Sequence, residues 1–446
     1  MNRRSFLAKS TAAGAALMSF PHIALSKSQT KLRVAVIGLG RRSEFAFRSL
    51  KPDQVSITAL CDVDTRTFSQ PVDKRRMDVP PTEMWPQAKC FEDYRELFEY
   101  SDLFDAVWIA TPDHHHFPAA IRAIRAGKAV YCEKPLAWSV WECQQLAEVA
   151  RQYEVATQMG NQGMGNMGWR MGRTYYEAGL LGDILEVHTF TGTRLATRTE
   201  RLQGEDPVPE GLNWDLWQGP AQTRPYLNEM YTPFEWRSIP EFGNSALGDW
   251  CCHLMNGFYK ILEPGYPTSV ECVEKREPEG RTFAEGYHLR YQFPAKAGRP
   301  EFTSNWYSGA VQAPRPAALE AERDLGAVGS YLVGTKGTLW LKGGYVESPL
   351  LIPESVRREV GWLESVVPRS NHVQEFVQAA KGVTAYDAPL SHFGYGGALT
   401  AGALLGGIAS HFDGALAYDA ATAKFTNNIA ANEFLSRQNP RPGWYL

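Results

Sequence analysis

Cysteine is scarce and badly placed for cross-linking. The seven residues, at 61, 90, 132, 143, 251, 252 and 272, are odd in number and form no Cys-x-x-Cys pair, which argues against a disulfide framework and leaves open an isolated bridge after export. Several fall in apolar, strand-like runs, so they are expected as mostly buried thiols. Cationic excess is lacking too: 46 Lys and Arg face 49 Asp and Glu, a formal net charge of −3. Without a clustered basic face, neither a nucleic-acid nor an anionic-membrane partner is expected. No segment beyond residue 26 approaches the roughly 18 apolar residues that a membrane helix needs. Internal repeats and long low-complexity linkers are also missing.

The chain opens with Asn2-Arg3-Arg4-Ser5-Phe6-Leu7. Arg3, Arg4 and Lys9 precede an apolar, Ala-rich run over 11–20 and a small-residue stop, Ala24-Leu25-Ser26. This is the pattern of a twin-arginine signal peptide. Residues 1–26 are therefore set apart from the fold, with the twin-arginine export machinery as the expected partner and a periplasmic or otherwise exported location. Three positive charges and no negative ones leave with the leader, so the net charge moves from −3 to −6. The remainder has room for two domains of roughly 130 and 290 residues.

Short β-rich runs at 32–37, 55–61, 106–110 and 129–132 alternate with helix-like stretches at 45–50, 94–100, 117–126 and 139–153. Repeated βα order predicts a parallel, doubly wound sheet with right-handed crossovers, here a Rossmann domain over 32–155. After the first strand comes Gly38-Leu39-Gly40-Arg41-Arg42-Ser43. The two glycines permit a tight turn and close approach of backbone to a pyrophosphate at a helix start, with Ser43 standing where a third glycine is usual. Asp62 ends the next strand, 22 residues beyond Gly40. An acid there accepts from ribose hydroxyls and repels a 2′-phosphate, so NAD is favoured. Arg41, Arg42 and Arg66 leave NADP open.

The later strand-end loops, Thr111-Pro112-Asp113-His114-His115-His116 and Glu133-Lys134-Pro135, border the ligand crevice of such a sheet. Three adjacent histidines project in different directions and have no partner at zinc-like spacing, so no metal site is expected. With these loops the chain resembles the Gfo/Idh/MocA oxidoreductases. The Gly-rich turn, the Thr-Pro-x-x-x-His loop and the Glu-Lys-Pro strand end carry the resemblance. It continues through Gly-Asn-Gln-Gly at 160–163, Gly248-Asp249 with His253, and Arg441-Pro442-Gly443-Trp444.

The resemblance implies an α/β chain in which the Rossmann domain is followed, over 156–446, by a substrate-binding and oligomerisation domain. That domain carries a large open, mainly antiparallel sheet and a C-terminal tail. Strand-like runs at 184–191, 269–272, 287–293, 302–307, 330–333 and 338–341, without intervening helices until 371–381, agree with it. Lys134, Asp249 and His253 match the catalytic trio: His253 as general base toward a hydroxyl, Lys134 as donor to the same oxygen, Asp249 fixing the tautomer of His253. Residues 249 and 253 stand one turn apart if helical. Gly38, Gly40, Arg41, Arg42, Asp62, Thr111, Pro112, His116 and Glu133 form the expected cofactor site, with Asn161 toward the nicotinamide. Trp236 and Arg237, in a Pro-, Trp- and Arg-rich insertion over 194–243, are the expected substrate contacts. Aromatic residues in that rim suit a sugar-sized ligand, and the sheet domain suits a homo-oligomer, dimer or tetramer.

An exported enzyme has no dissolved NADH pool, so a tightly bound cofactor must be restored in place. Two readings meet that condition: an oxidoreductase acting on a carbohydrate hydroxyl and regenerated by a second sugar or ketone, and a redox-neutral NAD-dependent glycosidase. A non-catalytic binding protein on the same fold comes last, because Lys134 and His253 are both present.

Overall fold

The computed structural model describes residues 31–71, 77–361 and 363–445. The leader over 1–26 lies outside them. Six strands form the first sheet: β1 (Leu32–Ile37), β2 (Val55–Cys61), β3 (Lys89–Phe91), β4 (Ala106–Ile109), β5 (Ala129–Glu133) and β6 (Thr157–Gly160), in the order β3-β2-β1-β4-β5-β6. All pair in parallel, and β1, β4 and β5 are buried at nearly every position, as a sheet with both faces covered requires. The order reverses beside β1, so the carboxyl ends of β1 and β4 flank the crevice where ligands bind. The sheet runs past the residue-155 boundary expected from sequence, because β6 hydrogen-bonds to β5.

The second sheet has nine strands: β7 (Ile184–Thr191), β8 (Ser269–Arg276), β9 (Gly286–Phe293), β10 (Phe302–Gly309), β11 (Val328–Gly334), β12 (Thr338–Lys342), β13 (Ser348–Ile352), β14 (Leu416–Asp419) and β15 (Lys424–Phe425). Their order is β13-β12-β11-β7-β10-β9-β8-β14-β15, antiparallel apart from β7 with β10. The expected fold class is therefore the observed one. One detail differs: helices Ser245–Leu254 and Asn256–Leu262 fall between β7 and β8, where an uninterrupted strand series was expected. They carry the Asp249-to-His253 segment and pack an apolar face, Cys251, Leu254, Phe258 and Ile261, into the main core. Tertiary burial outweighs a helix signal weakened by Gly248 and Gly257.

The helix Phe393–Ala409 ties the sheets together by packing against helix Val140–Tyr153 and against Ser245–Leu254. A Cβ on Gly397 would sit 2.9 Å from the Cys143 carbonyl oxygen, so only glycine allows this approach. The tail then returns to the Rossmann domain. Trp444 is buried beside Tyr94 and His115, with the Arg95 guanidinium 4.1 Å above its ring, and Arg122 donates to its carbonyl at 2.7 Å.

Five of the seven thiols are buried and none forms a disulfide; Cys90 alone is exposed. No helix among the described residues is long and apolar enough to cross a membrane.

Candidate active site

The crevice is a cavity of about 820 Å³. At its cofactor end the chain leaves β1 through Gly38, whose φ of +86° is open to glycine. A Cβ there would lie 2.8 Å from the Ala110 carbonyl carbon and the Thr111 nitrogen. Gly40 has nothing within 4 Å of a hypothetical Cβ, so its backbone faces open space. Ser43 closes the turn, its Oγ and its N–H both donating to the Gly40 carbonyl at 2.9 Å. This is the shape a dinucleotide pyrophosphate needs: a close-packed turn, an unobstructed glycine face and a helix start.

Asp62 accepts from the N–H of Leu39 at 2.6 Å and from that of Asp64 at 2.8 Å. Burial pushes its carboxyl up to about 6, against those two amides. Of the neighbouring cations, Arg66 makes a two-pronged bond to Asp64 at 2.8 and 2.6 Å, while Arg42 lies 2.9 Å from Glu133 with its Nε and Nη2 buried and without a hydrogen bond among the described residues. Arg41 lines the cavity.

At the other end, β5 delivers Glu133 and Lys134, and helix Ser245–Leu254 brings Asp249 and His253. Lys134 Nζ donates to both Asp249 Oδ1 and the Asp249 carbonyl at 2.7 Å. Arg237 Nε donates to the same Oδ1 at 3.0 Å. Burial alone would raise the Asp249 carboxyl, but the charges of Lys134 and Arg237 and the Lys134 hydrogen bond hold it well below the ordinary carboxylate range.

The expected bond from Asp249 to His253 is not formed. The carboxylate is taken by the two cations, and His253 Nδ1 is buried without a partner. Burial, then the charge of Lys134, pushes the His253 imidazole well below its ordinary 6.5 despite Asp249, so it is neutral at physiological pH. Its orientation comes instead from Tyr345, edge-on at 4.6 Å between ring centroids. Tyr345 sits in the turn between β12 and β13, where Val346 has a φ of +56°, a strained value for a β-branched residue. Packing of Val346 against Gly168 and Gly257 holds the turn.

All the sequence-selected residues line this cavity except His116 and Asn161. His116 is wedged between carbonyls, Nδ1 at 2.7 Å from that of Pro135 and Nε2 at 3.0 Å from that of Thr111; it braces the two loops. Asn161 is fully buried and bonds to Asn256 and Ser391, joining the domains behind the site. His114 and His115 are each bonded through Nε2 to the Trp217 carbonyl, at 2.9 and 2.8 Å. The histidine run is thus spent on carbonyls that hold the insertion in place.

Sequence reading passed over Asp113, Tyr345 and Trp250, which also line the cavity. Asp113 lay in plain view in its loop, but nothing in residue type announces burial. Burial pushes its carboxyl from an ordinary 3.8 to about 7, against the charges of Arg237 and Lys134. A raised carboxyl contributes stability that is complete below about pH 4 and lost as pH rises through about 7. Asp113→Asn is therefore expected to raise the melting temperature by roughly a few degrees at pH 8 and to lose most of that gain at pH 4. Calorimetric scans at both values check it, and a variant less stable than wild type at pH 8 would contradict it.

Residues 32–161 match the model of the Gfo/Idh/MocA oxidoreductase family, NAD-binding Rossmann fold. Among curated proteins, a glycosyl hydrolase family 109 protein of Shewanella pealeana is 29% identical over 53% of this chain and 47% of its own length. Inositol 2-dehydrogenase of Salmonella typhimurium is 26% identical over 35% of this chain and 45% of its own. The chain thus spans less than half the length of these curated relatives. Among solved structures, an inositol dehydrogenase homolog from Azotobacter vinelandii, complexed with NADH and myo-inositol, superposes with a TM-score of 0.56 at 18% identity. That superposition covers 88% of this chain and 99% of the other. The WlbA dehydrogenase from Bordetella pertussis, in complex with NADH and UDP-GlcNAcA, gives 0.58 at 16% identity, covering 87% and 99%. Both likenesses are of fold.

Proposed function

We propose that this chain is an NAD(P)-dependent oxidoreductase that oxidises a carbohydrate hydroxyl while keeping its nicotinamide cofactor tightly bound. One observation carries the reading: a glycine turn fit for a pyrophosphate and the Lys134, Asp249, His253 and Arg237 cluster share one cavity. Gly38, Gly40 and Asp62 would hold the dinucleotide, with Thr111, Pro112 and Glu133 beside it. Such a cofactor, when bound, supplies the hydride acceptor. Neutral His253 would take the hydroxyl proton, and Lys134, already polarised by Asp249, would donate to the same oxygen as its charge grows. Trp236 and Arg237 would contact the substrate. The engagement of Arg66 by Asp64 supports NAD over NADP.

Likeness to family 109 glycosyl hydrolases favours one second reading: oxidation, elimination of an aglycone, addition of water and re-reduction. Both readings accord with export by the twin-arginine leader, with the large sheet serving a homo-oligomer.

Denaturing the purified protein and analysing what it releases by mass and absorbance tests the proposal. Stoichiometric NAD or NADP is expected, and a protein that neither carries nor binds either would move a non-catalytic binding role to the front. Incubating the holoenzyme with a glycoside panel then separates the two chemistries. Free sugar without net NADH marks the glycosidase, and a keto sugar or lactone marks the oxidoreductase.

A further inference from the structure

Arg237 is held more elaborately than a brace for Asp249 requires. Its guanidinium carbon lies 4.2 Å from the Trp236 ring centroid and 4.3 Å from that of Phe234, and both rings line the cavity. Nε is fixed on Asp249 Oδ1 at 3.0 Å. Two rings and one carboxylate therefore set the plane of the guanidinium, while Nη1 and Nη2 make no hydrogen bond among the described residues. A planar pair of donors fixed in this way matches a carboxylate geometrically, which a lysine cannot do.

The charge balance points the same way. Lys134 and Arg237 both converge on a single oxygen of Asp249, so one carboxylate answers two cations whose side chains are only 11% and 19% exposed. His253 is neutral and adds nothing. Glu133, the next acid at this end, is matched by Arg42 at 2.9 Å, and the burial of Asp113 leaves it about half protonated near neutral pH. A buried excess of positive charge is costly unless an anion meets it.

We propose that Arg237 is an anion subsite and that the substrate is a carbohydrate acid, a sugar or glycoside whose carboxylate docks on the Nη1 and Nη2 edge. This rests on the oxidoreductase reading of the cavity. Because Lys134 and Arg237 meet at one oxygen of Asp249, a single sugar can present its carboxylate to Arg237 and a hydroxyl to Lys134. Trp236 and Phe234 provide apolar faces beside that ring.

The test is calorimetric titration of the purified holoenzyme at pH 7 with matched pairs: methyl glycosides of gluco, galacto and manno configuration, and the corresponding methyl glycosiduronates. At least one acid is expected to bind about tenfold tighter than its neutral partner, the scale of charge-assisted hydrogen bonds. Arg237→Gln should bring that ratio close to one, and Arg237→Lys should restore part of it. Equal or weaker binding of the acid in every pair overturns the proposal. So does an equal loss for both members of a pair in Arg237→Gln, which would mean that Arg237 acts only by holding Asp249. Turnover of the same pairs is read separately. A preference for the acid without nicotinamide reduction supports the subsite and counts against the oxidoreductase reading instead.

Discussion

Lys134→Ala is expected to lower turnover by roughly 10²–10⁴-fold, the range for loss of a positioned proton-transfer or oxyanion group, while the protein stays folded. The fold should survive because Asp249 Oδ1 keeps Arg237 at 3.0 Å after the lysine is gone, so no buried carboxylate is left bare. Asp249→Ala is the opposite case. It leaves Lys134 and Arg237 facing each other without a counter-charge, and removing one partner of a buried pair costs about 3–5 kcal/mol. His253→Ala should match Lys134→Ala in turnover. In the wild type the depressed imidazole should cause no loss of rate of its own as pH falls through 6.5, since His253 charges only well below that value; a change near pH 7 would belong to Asp113. Single-turnover rates on holoenzyme, with melting temperatures of each variant, check the set. Unchanged turnover in Lys134→Ala or His253→Ala would remove that residue from the mechanism, and an unfolded Lys134→Ala would show that Arg237 alone cannot compensate Asp249.

The contrast between Asp249 and His253 shows where sequence stops informing. Spacing put the two one turn apart if that segment is helical, and the structure has a helix there, Ser245–Leu254. A one-turn interval brings two side chains near each other but does not say which neighbour wins the carboxylate. Lys134 arrives from a strand end 115 residues earlier in the chain and Arg237 from the short 3-10 helix Glu235–Ser238, and two full cations outcompete a neutral imidazole. The first sheet was legible because β1, β2, β4 and β5 are short, mostly apolar and β-branched runs alternating with helical stretches. Strand β3 has three residues and β14 and β15 four and two, too short for any periodicity. His116 and Asn161 lie off the cavity lining for a related reason: a motif fixes residue type and order, while facing the cavity or bracing it from behind is decided by packing.

Gly211→Val is expected to release the cofactor. The insertion over 194–243 does more than rim the site, because it is stitched to the loop that follows β2. Thr65 donates its N–H to the Gly211 carbonyl at 2.8 Å, Asn213 donates to the Val63 carbonyl at 2.8 Å, and Leu212 bridges Asp64 antiparallel. Leu212 and Trp217 line the cavity beside Asp62 and Asp64, so the strap lies over the end where the adenosine ribose would sit. Gly211 has a φ of +88°, and a Cβ there would come within 3.0 Å of Arg66 Cγ and 3.1 Å of Thr65 Oγ1. Valine adds the penalty of a left-handed β-branched residue, about 1–2 kcal/mol, and breaks two hydrogen bonds of about 1 kcal/mol each. Together these amount to a rise of roughly a hundred- to a thousandfold in the cofactor dissociation rate. Thr65→Val removes only the hydroxyl contact at 3.1 Å and should raise that rate less than about tenfold. The fraction of nicotinamide retained through gel filtration, and its release followed by fluorescence, measure both variants without any assay of turnover. Retention as complete in Gly211→Val as in wild type would mean that the Rossmann turn alone holds the cofactor.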